Sequence, residues 1–112
     1  MVGGNRIQPR EEILIHVLAI LTAKPGLRGK VLEAFRANAP NVLAEDGCIE
    51  YGAAVDIEGA NPAFGPDTLV IVEKWRDLAA LKAHGASPHM KAYSASTKEW
   101  MATRAVHALD PA

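Results

Sequence analysis

The chain has 112 residues, enough for one domain but few enough that pairing with a second copy would help it bury surface. Hydrophobic residues make up 49% and charged residues 22%, an ordinary globular composition. A net charge of −1, with twelve basic and thirteen acidic residues scattered rather than blocked, argues against a nucleic-acid partner.

Residues 1–11 are polar, with Gly3-Gly4 and Pro9, and read as a flexible lead-in without the apolar core of a signal peptide. The domain is expected over residues 12–110. Ile13–Thr22 (ILIHVLAILT) is a strand by length and β-branching. Its apolar stretch is interrupted by His16 and is too short to cross a bilayer, so the expected home is the cytoplasm and no membrane partner is expected. Both faces of the strand are apolar: Ile13, Ile15, Val17, Ala19 and Leu21 oppose Leu14, Leu18 and Ile20. A strand with one wet face would alternate, so cover is expected on both sides, from the chain's own helices and from a second subunit.

Lys24-Pro25-Gly26 makes a turn, after which Leu27, Val31, Phe35, either Asn38 or Ala39, and Val42 recur at helical spacing to about Glu45. Pro40 is expected to kink or open that helix without ending it, and Asp46-Gly47 to stop it. Cys48–Val55 is the second strand, with Ile49, Tyr51, Ala53 and Val55 on one face. Cys48, the single cysteine, excludes an internal disulfide and reads as a small apolar residue. The loop Asp56–Asp67 holds two glycines and two prolines and is long enough to form part of a pocket rim.

In the third strand, Thr68–Trp75, alternation sends Leu69, Ile71, Glu73 and Trp75 to one face. Asp77 can cap a following helix whose inward stripe runs through Leu78, Leu81 and either His84 or Gly85. Ser87-Pro88 starts a new helical piece, with serine as N-cap and proline first. Met101–Leu109 is a β-capable fourth strand, and the order β-α-β-β-α-β is the ferredoxin-like α+β arrangement.

The residues able to do chemistry gather late. His84, across from Glu73 and Trp75, could act as a general base or hydrogen-bond a substrate oxygen; the plainer alternative is a core-edge histidine satisfied by a backbone carbonyl. His84 and His89, five residues apart around a proline, lack metal-ligand spacing, and no third ligand is apparent. Glu73 points inward and needs a partner. Trp75, Tyr51 and Tyr93 could stack on a flat ligand or simply pack. His16 and His107 read as structural or surface residues.

The turn Lys24-Pro25-Gly26, the segment VLAEDGCIEY (Val42–Tyr51), VEKW (Val72–Trp75) and LAALKAHGASPHMKAY (Leu78–Tyr93) resemble the antibiotic biosynthesis monooxygenase domain, most of all the small bacterial quinol monooxygenases. The resemblance implies a ferredoxin-like subunit that dimerises through its sheets into an α/β barrel. It also implies oxidation of a quinol or polycyclic phenol by O2 without metal, haem or bound flavin. Such a site binds a flat ring, removes a hydroxyl proton and excludes water, after which the phenolate can give an electron to O2. On this reading His84 is the base or oxygen-orienting group, with Trp75, Tyr51, Tyr93, Glu73 and His89 holding the substrate. A non-catalytic dimeric ligand-binding or stress-associated module on the same fold is the alternative. Haem-degrading members of the superfamily use an Asn, a Trp and a His where this chain has Ala19, His84 and Tyr93, which counts against haem. Two departures from the quinol type, Gly85-Ala86 after the Ala-His pair and the long lead-in, bear on pocket size.

Overall fold

A two-faced central strand organises the molecule. The computed structural model describes residues 14–112, so the expected lead-in and the start of the first strand at Ile13 lie outside the described residues. Strand β1 (Ile15–Ala23) is followed by α1 (Arg28–Leu43), β2 (Cys48–Ala54), β3 (Thr68–Trp75), α2 (Leu78–Gly85), α3 (Pro88–Thr97), a 3-10 turn (Lys98–Trp100) and β4 (Met101–Leu109). The four strands form one antiparallel sheet in the order β2-β3-β1-β4. Helices lie on one face of it, so the fold is ferredoxin-like α+β.

Alternation along β1 buries Val17, Ala19, Leu21 and Ala23 against the helices. Opposite them in β3, Leu69, Ile71, Glu73 and Trp75 point the same way and are buried too. Val31, Phe35 and Val42 of α1 close this core from above. Each fully buried aliphatic side chain stabilises the fold by roughly 1.5–3 kcal/mol relative to exposure.

Pro40 does not end α1, which stays helical to Leu43 with the proline ring on its exposed side. The outgoing turn uses Gly47 at φ 88°, where a Cβ would stand 2.5 Å from the Cβ of Ala80. Only glycine fits that backbone and that gap.

Two expectations shift. The register of β2 slips between Cys48 and Glu50, so that Cys48 faces Trp75 and Glu50 faces Lys74. This irregularity hands the inner face to Cys48 and Tyr51 and leaves Ile49 52% exposed, whereas simple alternation had placed it beside Tyr51. Strand β1 begins at Ile15 and ends at Ala23, one residue later than expected, where the Ala23 N–H donates to the Asp67 carbonyl at 2.8 Å.

The other face of the sheet carries Leu18 and Ile20 of β1 beside Val72 and Val70 of β3, paired directly across. No described helix covers them. Among the described residues, no helix is long and apolar enough to cross a membrane.

Candidate active site

The site forms where three local structures meet. Asp77, extended at φ −161°, accepts the Ala80 N–H at 2.8 Å and starts α2 on the register that turns His84 inward. Ser87 then does two things: its Oγ accepts the Met90 N–H at 3.3 Å, and it donates to the His84 carbonyl at 2.8 Å. The chain therefore breaks between α2 and α3 with His84 and His89 on either side of the break. From the opposite direction, the turn after α1 delivers Glu45. Its N–H donates to the Val42 carbonyl and its own carbonyl accepts from Cys48 N–H, which pins the residue at both ends.

One oxygen of Glu45 joins the two histidines. Oε2 lies 2.9 Å from His84 Nδ1 and 2.6 Å from His89 Nε2, and the carboxyl group is largely buried. A carboxylate oxygen accepts, so both ring nitrogens donate to it. In its neutral form His84 accordingly holds its proton on Nδ1 and leaves the lone pair on Nε2, a tautomer assigned from this hydrogen bond.

The His84 ring is fixed by aromatic neighbours as well. Trp75 lies 4.6 Å away between ring centroids and Tyr51 lies 5.7 Å away, edge-on. Tyr51 in turn stacks on Phe35 at 4.9 Å. Glu73 finds its partner two residues along the strand, where Trp75 Nε1–H donates to Oε1 at 2.8 Å. Burial pushes the Glu73 carboxyl above the usual carboxylate range, with the Trp75 hydrogen bond acting against it. Burial also raises the Tyr51 and Tyr93 phenols, Tyr51 strongly and with help from the Glu73 charge. For Tyr93 the nearby Arg104 guanidinium acts in the other direction.

These groups border a cavity of about 550 Å³ between the inner sheet face and the α2–α3 segment, within the roughly 300–1,000 Å³ usual for small-molecule sites. Its floor is Val17, Ala19, Leu21 and Ile71, and α3 adds Met90, Tyr93 and Thr97. Of the six residues expected from sequence, His84, Glu73, Tyr51 and Tyr93 line it. Trp75 and His89 do not: Trp75 is wholly buried against His84, and His89 reaches the cavity only through Glu45 and His84. Among the described residues, no group of three His, Cys, Asp or Glu side chains is placed to hold a metal ion.

Two further residues of the site, Glu45 and Arg104, lie outside those that the sequence pattern points to. Glu45 had a signal: a carboxylate just past the end of a helix faces the negative end of the dipole and needs another reason to be there. Arg104, on β4, lines the cavity because it sits opposite Leu21, a register that only the folded sheet reveals.

Residues 14–96 match the family model described as antibiotic biosynthesis monooxygenase. The chain belongs to this family. "Probable quinol monooxygenase YgiN" of Escherichia coli K12 is 38% identical over 89 residues, 76% of this chain and 86% of that protein. Among solved structures, Rv0793 of Mycobacterium tuberculosis superposes with TM-score 0.75 at 29% identity, covering 88% of this chain and 95% of that one. A conserved protein of Methanosarcina mazei Go1 reaches TM-score 0.80 at 23% identity, covering 92% and 97%, and supports the fold alone. For an antibiotic biosynthesis monooxygenase domain, the elements inside the match include every cavity-lining residue from Val17 to Ser94; Thr97, Lys98, Met101, Arg104 and Val106 lie beyond it.

Proposed function

We propose that this protein is a cofactor-independent monooxygenase that oxidises a quinol or polycyclic phenol with O2. The observation that carries the reading is His84, set in the wall of an apolar cavity with Nδ1 tied to Glu45 and Nε2 left as the acceptor. A flat ring lying on Val17, Ala19 and Ile71, edged by Tyr51 and Tyr93, brings a hydroxyl to Nε2. Proton transfer there makes an electron-rich phenolate, and Glu45 stabilises the imidazolium that results. His89, on the same oxygen, holds Glu45 in place. Glu73 adds a polar edge beside His84.

The overall reaction needs no outside reductant. One atom of O2 enters the ring as a hydroxyl; the other leaves as water with the two quinol hydrogens; the ring supplies all four electrons. Family membership and the similarity to YgiN support monooxygenase-type chemistry, and the substrate class is our inference.

We infer further that two copies pair through the outer faces of their sheets. Leu18, Ile20, Val70 and Val72 form an apolar block that a water-facing sheet would not keep.

Turnover of a reduced naphthoquinol under oxygen-18 gas tests the reaction. A single labelled oxygen in the hydroxyquinone product, with the second recovered as water, is expected. Unlabelled quinone and hydrogen peroxide would mean simple oxidation. Tight binding with no oxygen uptake would leave a ligand-binding module.

A further inference from the structure

The cavity has a second polar end that the reaction above does not use. Arg104 and Lys98 both line it, Arg104 from β4 and Lys98 from the 3-10 turn. Arg104 sits opposite Leu21 in the β1–β4 register and therefore on the helix-facing side of the sheet. Glu73 is level with Val17 at the other end of β1. Four residues of strand separate the two levels, roughly 13 Å at about 3.3 Å per residue.

No acid among the described residues forms an ion pair with Arg104. Among the described residues it makes no salt bridge and no side-chain hydrogen bond, whereas Arg76 is held by Asp46 and Asp77, and Arg28 by the carbonyls of Gly65 and Thr68. Glu73 is the one carboxyl group among the lining residues, and it is already engaged by the Trp75 indole and disfavoured as an anion by burial. The field of Arg104 nevertheless reaches the cavity, since it draws down both the Glu73 and the Tyr93 proton affinities. An apolar slot thus ends in two cations at one side and a histidine acceptor at the other.

We propose that the ligand is an aromatic hydroxy acid: a ring system whose hydroxyl meets His84 and whose carboxylate, at the far edge, is taken by Arg104 with Lys98 beside it. The guanidinium fork matches a carboxylate with two parallel hydrogen bonds, which a lone ammonium cannot do. This inference rests on the reading that the cavity takes a hydroxylated aromatic ring, and it narrows that class to one carrying a negative charge.

The test compares hydroxynaphthoate with uncharged naphthol by fluorescence titration, in the wild type and in Arg104→Gln. The wild type is expected to prefer the carboxylate by about tenfold or more, the usual scale for a charge-assisted pair. In Arg104→Gln that preference should vanish while naphthol binding stays within about twofold, which also reports an intact cavity. Equal affinities in the wild type, no binding of either compound, or a preference unchanged in the variant would overturn it. Oxygen uptake with dihydroxynaphthoate and with menadiol separates the two readings. Carboxylate preference without uptake keeps the hydroxy-acid site and removes the monooxygenase. Uptake with menadiol and no carboxylate preference does the reverse.

Discussion

Glu73 shows how one buried carboxyl group ties the site to stability. Burial raises its pKa in the folded protein, and the Trp75 indole hydrogen bond offsets only part of that. A carboxyl that holds its proton more tightly when folded favours folding below the ordinary carboxylate range, and that contribution is lost as pH rises through the folded-state value. Glu73→Gln keeps an oxygen for the Trp75 N–H and never ionises. Its stability relative to wild type should therefore improve as pH rises from about 4 to about 8, measured by urea unfolding at each pH. A difference that is flat, or that worsens with pH, would show that hydrogen bonding rather than desolvation governs Glu73. At this scale the sequence was informative where one element's periodicity sufficed: strand alternation placed Glu73, and helical spacing narrowed the inward position to His84 or Gly85, of which His84 is buried. Glu45 and Arg104 depend on how a turn and an edge strand meet distant elements, which periodicity does not encode.

Among the elements, β1 carries the greatest consequence because it is apolar on both sides and the described helices cover only one of them. Leu18 is 37% exposed, next to Val72, on a face with no described helix above it. Pairing of two such faces predicts a dimer in sedimentation of the wild type. Leu18→Lys with Ile20→Lys should weaken that dimer by about tenfold or more per side chain lost from the interface, while leaving the circular dichroism of the subunit unchanged. A wild type that sediments as a monomer at micromolar concentration would refute the pairing. The elements themselves were largely legible, down to the Asp77 and Ser87 caps and the break before Pro88, because capping and turn chemistry are local. The irregularity in β2 was not, since a one-residue slip is set by the partner strand and moves Ile49 outward without changing its composition.

As a whole, the described residues form one sheet with a helical layer that stops short of its β4 edge, and the cavity lies where the cover ends. Beyond Met101, the residues of β4 are exposed up to Asp110, so one wall of the site belongs to a strand with little packing of its own. The ferredoxin-like sheet and its helices could be anticipated from element order alone. The joining of His84 and His89 through a single Glu45 oxygen could not, because it needs the ends of α1 and α2 to meet in space. The proposed reaction depends on proton transfer to His84 in this cavity. Oxygen consumption by the purified protein with a reduced naphthoquinol, read against a no-protein blank and against His84→Ala, addresses it most directly. Uptake above the blank that falls by about 10²–10⁴-fold in the variant is the predicted result, the range for losing a general base. Uptake no greater than the blank, or a His84→Ala variant that consumes oxygen as fast as the wild type, would contradict it.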